Sequence, residues 1–199
     1  MSAVVSALRR VAADLELIGG RVALVGGLAV SARAEPRFTR DLDFAVAVED
    51  DLEAERIVYA LQERGYRVRM ILEQETTGRL ATVRLVPPRA EDDEALADLL
   101  FASSGIEEEI VAQAEPMEVL PGLSVRVATA GHLIAMKTLA HDDVSRPKDA
   151  QDLLALFAVA RVEDLDVARA ALALITQRGY DRGKDLASEF ARFLSRARR

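Results

Sequence analysis

The chain has 199 residues, half of them apolar and 30% charged, with a net charge of −7 and no cysteine. That length builds one domain with a substantial core, or a domain with a modest appendage. The missing cysteines exclude disulfides and thiolate metal sites and fit a reducing cytoplasm, and the negative charge argues against a broad nucleic-acid-binding surface, though not against a local basic groove.

Residues from Ser2 to Ile18 read as a first helix that Gly19-Gly20 ends. Arg9, Arg10, Asp14 and Glu16 interrupt its apolar positions at helical spacing, so it is amphipathic and unlike a signal peptide. Nothing in the chain approaches a membrane-spanning run. Arg21 to Val25 reads as a short strand, followed by Gly26-Gly27, a small-residue helix from Leu28 to Ala34 and a turn at Pro36. Asp41 and Asp43 then flank Leu42 and enter a second apolar strand that runs to Val48. Strand side chains alternate faces, so the two aspartates project together while Leu42 points into the core. Two like charges so close repel and are poorly solvated unless a cation sits between them. A hard divalent ion with oxygen ligands, Mg²⁺ above all, meets that need. The glycine turn ahead of a helix presents backbone N–H groups to phosphate. These two halves point to phosphoryl or nucleotidyl transfer. Arg33, Arg37 and Arg40 precede the carboxylates and read equally as bidentate phosphate ligands or as solvated charges.

Glu49-Asp50-Asp51 makes an acidic N-terminal cap for a helix from Leu52 to Arg64, and Gly65 ends it. Tyr66 to Leu72 and Arg79 to Val86 form an alternating pair that reads as a hairpin, stopped by Pro87-Pro88. From Glu91 to Phe101 the periodicity favours a helix, with Glu94 and Asp98 four apart on a polar face. A short helix from Ile106 to Ala114 carries three glutamates in its first turn, where the helix dipole favours them. Met117 to Leu120 and Leu123 to Val127 flank Pro121-Gly122 as a second hairpin.

From Thr129 the composition becomes helical. Thr129 caps a helix to Ala140, Pro147 opens another to about Ala160, and two more cover about Val162 to Arg178 and Lys184 to Arg198. The expected division is therefore an α/β part over residues 1–128 and a helical part over residues 129–199. His132 and His141 lack metal-ligand spacing, and His141 reads as a loop-edge surface residue. No serine or cysteine has a nucleophile context. Neither a G-x-x-x-x-G-K-[ST] phosphate loop nor a G-x-G-x-x-G dinucleotide turn is present. The basic end from Arg192 to Arg199 reads as dipole-compatible helix termination or as a contact for RNA phosphates.

Gly26-Gly27, a helix-length spacer and Asp41-Leu42-Asp43-Phe44 together resemble the signature of the DNA polymerase β-like nucleotidyltransferase superfamily. The wording R-F-T-R-D-L-D-F is most similar to the AbiEii/AbiGii-like branch, which includes toxin-type nucleotidyltransferases. The resemblance implies an α/β (α+β) fold, a mixed-sheet nucleotidyltransferase core with a helical C-terminal part forming one wall of the cleft. It implies Mg²⁺-dependent transfer of NMP from an NTP to an acceptor hydroxyl, with pyrophosphate released. Asp41 and Asp43 would hold two Mg²⁺ ions, and Gly26, Gly27, Arg37, Thr39 and Arg40 would bind the nucleotide.

The same resemblance implies a strand around Leu96-Ala97-Asp98-Leu99-Leu100-Phe101 in place of the helix, with Asp98 as a third carboxylate and metal ligand. Glu73, at the end of another strand, is the second candidate for that position. In the branch, a lysine on one helix and a K-D-x-x-D-L phrase on the next close over the nucleotide. Here these fall on Lys137 and on Lys148-Asp149-Ala150-Gln151-Asp152-Leu153. Lys148 would join the nucleotide ligands. Asp149 and Asp152 would hold Lys137, position a metal-bound water, or act on the acceptor hydroxyl. The acceptor stays open among tRNA ends, a protein side chain and a small hydroxylated molecule. Toxin members imply an RNA acceptor and a neighbouring antitoxin, whereas the acidic balance favours something smaller. The alternative function is a catalytically inactive nucleotide-binding regulator.

Overall fold

The computed structural model describes residues 3–35, 39–88, 90, 95–142 and 147–197. Its first half runs α1 (Ala3–Leu17), β1 (Val22–Val25), α2 (Gly26–Arg33), β2 (Asp41–Val46), α3 (Asp51–Glu63), β3 (Arg67–Glu73), β4 (Leu80–Val86) and β5 (Leu96–Leu100). There follow α4 (Glu107–Gln113), β6 (Glu115–Leu120) and β7 (Leu123–Val127), and then four helices, α5 (Ala130–Ala140), α6 (Pro147–Val159), α7 (Val162–Gln177) and α8 (Leu186–Ala197). The strands form one sheet in the order β3-β4-β5-β2-β1-β7-β6. Two neighbouring pairs, β2 with β5 and β1 with β7, are parallel, and the others are antiparallel. The expected mixed sheet followed by helices is therefore what the chain forms.

The ends of several helices follow from local chemistry. The Asp50 carboxylate accepts the backbone N–H of Glu53 at 2.9 Å, which caps α3. The Thr129 hydroxyl accepts from the N–H of His132 and caps α5 in the same way. The central strands lie deep in the fold, so their apolar runs are nearly continuous rather than alternating. In β2, Leu42, Phe44, Ala45 and Val46 are all buried. Burying a side chain the size of Phe44 contributes about 2–3 kcal/mol. One apolar core runs from Leu8 on α1 through these strands to Phe193 on α8.

Around Leu96 to Phe101 the strand that the family resemblance implies is what forms, over Leu96–Leu100, in place of the helix that periodicity favours, while residues 91–94 lie outside the described residues. Pairing with β2 on one side and β4 on the other fixes this segment as β5. Its Leu and Ala residues would serve a helix equally well, so neighbours outweigh propensity. His141 is not a surface residue: it is 5% exposed, its Nδ1 lies 2.9 Å from Glu189, and its ring packs edge-on against Phe193. In the basic terminal helix, the guanidinium groups of Arg192 and Arg196 lie over that same Phe193 ring.

Helix α5 is buried along most of its length and packs closely against α7. A Cβ at Gly131 would overlap the Asp164 carbonyl oxygen and the Val167 side chain, so this approach requires glycine. Close seating of α5 holds Lys137, in its last turn, on the wall of the cleft that Asp43 and Asp98 also line.

Candidate active site

Strand register creates the centre of the site. Asp43 on β2 pairs with Asp98 on β5, and Asp98 pairs in turn with Arg84 on β4. Paired residues on adjacent strands present side chains to one face, about 4.8 Å apart. Arg84, Asp98 and Asp43 therefore stand side by side across three strands, with Asp41 on the same face two residues before Asp43. Arg84 grips Asp98 with two parallel bonds, Nε donating to Oδ1 at 2.7 Å and Nη2 to Oδ2 at 2.6 Å.

Asp43 is half-buried, and its carboxyl is pushed up to about 7 from 3.8. Desolvation is the largest cause, followed by the negative charges of Asp98 and Asp41, against which Lys137 and the Gly27 backbone N–H pull the other way. The glycine turn thus serves the carboxylate directly. Gly26 has φ +64°, and a Cβ there would overlap the Asp43 carboxylate, so both the backbone conformation and the contact demand glycine.

The second charged group comes from the helices. Lys137 Nζ donates to Asp149 Oδ1 at 2.6 Å and lies 2.7 Å from Asp152 Oδ2. Asp152 is 2% exposed and Asp149 7%, so the lysine satisfies two buried carboxylates from the next helix. Of the three uses open to Asp149 and Asp152, the structure shows the first: they hold Lys137.

A cleft of about 1110 Å³ joins these groups. Gly26, Gly27, Asp41, Asp43 and Asp98 lie along it, together with Lys137 and Asp149. Thr39, Arg40 and Lys148 line it as well. Asp152 stands behind Lys137 and Asp149 rather than on the cleft surface. Arg37 lies outside the described residues. Arg33 turns away: its Nε donates to the Ala128 carbonyl at 3.0 Å, Nη2 to that of Val127 at 3.1 Å, and Nη1 to Glu115 at 2.6 Å. Glu73 stands on edge strand β3, exposed, in a separate groove beside α3. Only Asp98 of the two candidates neighbours Asp43.

Two cleft cations escaped the sequence reading, Arg84 and Arg182. Arg84 occupies the partly exposed face of an alternating strand, where it reads as a solvated charge, and only the register of β4 against β5 identifies it. Arg182 has φ +57° and donates through Nη2 to the Ser103 carbonyl at 3.2 Å. Buried Glu107 accepts the backbone N–H groups of Ser103 and Ser104 and the Ser104 hydroxyl, which fixes the loop forming this rim.

Comparison with solved structures gives the fold. A nucleotidyltransferase-like antigenic protein from Paracoccidioides brasiliensis aligns with TM-score 0.52 and 16% identity, over 96% of this chain and 94% of its own. The lincosamide antibiotic adenylyltransferase LnuA, in its lincomycin-bound form, aligns with TM-score 0.51 and 12% identity, over 78% of this chain and 97% of its own. The fold is that of the polymerase β-like nucleotidyltransferases. No curated protein matches the chain. Residues 7–198 match the family described as nucleotidyl transferase AbiEii toxin, type IV toxin–antitoxin system, and the chain belongs to that family. It is accordingly a nucleotidyltransferase, which sets aside the reading as an inactive regulator.

Proposed function

We propose that this cleft moves NMP from a nucleoside triphosphate to an acceptor hydroxyl in a Mg²⁺-dependent reaction, as the toxin of a toxin–antitoxin pair in the cytoplasm. The observation that carries the reading is the crowding of Asp41 and Asp43 beside the Gly26 turn, with the Asp43 carboxyl raised to about 7. An all-oxygen donor set short of positive charge fits a hard divalent ion. Asp41 and Asp43 would hold that ion, which when bound neutralises phosphate charge and polarises the phosphorus under attack.

In the transfer, the acceptor oxygen forms a bond to the α-phosphorus and the bond from that phosphorus to the bridging oxygen breaks. Pyrophosphate leaves with the electron pair, and the hydroxyl proton passes to solvent. Lys137, oriented by Asp149 and Asp152, offers a fixed positive charge to the developing negative charge on the phosphates. Gly26, Gly27, Arg37, Thr39, Arg40 and Lys148 bind the nucleotide in this reading, and Asp98 completes the acidic row. Residues 1–128 act as the core, and residues 129–199 as the helical subdomain that closes the cleft.

Arg40, Lys148 and Arg182 join Arg84 and Lys137 to balance the five aspartates of the cleft, which is thus less acidic than the chain as a whole and would turn positive once a divalent ion is bound. This favours an RNA acceptor such as a tRNA end over a small hydroxylated molecule. The test is incubation with each α-labelled NTP, Mg²⁺ and total tRNA, alongside Asp41→Asn and Asp43→Asn. Label should move into RNA with the native chain and stay below about 1% of that rate in either variant, with the folded state retained by circular dichroism. Transfer that survives either substitution, or persists in excess EDTA, refutes the reading.

A further inference from the structure

We propose that Arg84 is a built-in cation occupying the place of a second metal ion. The cleft then takes one divalent ion, through Asp41 and Asp43, and Asp98 is not a metal ligand. The proposal rests on the reading of Asp41 and Asp43 above and replaces the two-ion arrangement implied by the family resemblance.

Four observations carry it. Both oxygens of Asp98 already accept N–H donors from one planar guanidinium, at 2.7 and 2.6 Å, the fork geometry that saturates a carboxylate edge. The pair is also built by the backbone: Arg84 and Asp98 are register partners on adjacent antiparallel strands in the sheet interior. No loop movement would separate them. The Asp98 side chain is 11% exposed, so exchanging the guanidinium for a hydrated ion would have to proceed in a confined space. Lastly, among the described residues no three Asp, Glu, His or Cys side chains converge as metal ligands, although Asp41, Asp43 and Asp98 share one face. The third carboxylate is committed sideways, to β4.

Arg84 feels all three aspartates, so the guanidinium lends positive charge to the whole row. A guanidinium supplies charge but no coordination position, and so cannot lower the pKa of a bound hydroxyl as a metal does. Arg84 and Asp98 are thus positioning residues that set the field around Asp43. The rate should depend on Mg²⁺ to the first power.

The experiment counts Mn²⁺ bound per chain by electron paramagnetic resonance, with each of the four α,β-methylene nucleoside triphosphates present. The native chain and Asp98→Asn should each bind one Mn²⁺, and Asp43→Asn none. Arg84→Met, which keeps the stem and removes the charge, should bind two, while Arg84→Lys stays at one. Two ions in the native chain, a lower count in Asp98→Asn than in the native chain, or one ion in a folded Arg84→Met overturns the proposal. Should Arg84→Met fail to fold, the native chain and Asp98→Asn decide it between them. The underlying reading of Asp41 and Asp43 fails separately, by a native chain that binds no ion or an Asp43→Asn variant that keeps one.

Discussion

Replacing Asp43 by Asn should stabilise the metal-free protein at neutral and alkaline pH. The carboxyl rises from 3.8 to about 7 on folding, because desolvation, Asp98 and Asp41 disfavour its charge. A folded-state pKa above the unfolded one means that the native protein binds the extra proton between about pH 4 and 7. Stability therefore falls as pH rises through that window. At about 1.4 kcal/mol per unit, the full cost above pH 7 is about 4 kcal/mol. Water reaches the half-buried carboxylate from the cleft, so this figure is an upper one. Asparagine keeps an oxygen for the Gly27 N–H and carries no charge to desolvate. In EDTA, the melting temperature of Asp43→Asn should match the native chain near pH 4 and exceed it at pH 8. At about 2–4 °C per kcal/mol for a chain of this size, the gain at pH 8 is up to about 16 °C. Taking the difference between the two proteins cancels His132 and Glu107, which also titrate abnormally. Added Mg²⁺ should raise the native chain and leave the variant unmoved. A variant less stable than the native chain at pH 8, or an equal gain at pH 4 and 8, would refute the argument.

Lys137→Met should cost about 3–5 kcal/mol in urea unfolding at pH 7, because Asp149 and Asp152 stay buried without their ammonium. Adding Asp149→Asn and Asp152→Asn to it should recover most of that stability without restoring transfer, and no recovery would mean that the three do not act as one charged unit. Arg33→Met should behave in the opposite sense. It loses bonds to the Val127 and Ala128 carbonyls and to Glu115, costing about 1–3 kcal/mol, while the folded enzyme keeps its transfer rate within about twofold. A tenfold fall in rate would return Arg33 to the phosphate site.

Much of the site was legible because its logic is local. Asp41 and Asp43 share a face by the two-residue period of a strand, and Gly26 is needed where the chain turns into α2 with φ +64°. The caps at Asp50 and Thr129 are likewise three-residue events. Lys137 with Asp149 and Asp152 was legible only through family resemblance, since helix periodicity gives each a face but not a partner across a loop.

Composition and periodicity by themselves determined the order of the elements outside the stretch from Glu91 to Phe101, the change to helix after Ala128 and the acidic pair beside a glycine turn. Tertiary structure alone decided that Arg33 serves β7 and Glu115 and that Arg84 closes on Asp98, and strand pairing on both sides upheld the strand over Leu96 to Leu100 that resemblance implied against periodicity. The reason is one of range. Face and turn are fixed by neighbours within a few residues, whereas the partner of a charge depends on how separate segments align. One step of register in β4 would turn Arg84 to the other side of the sheet.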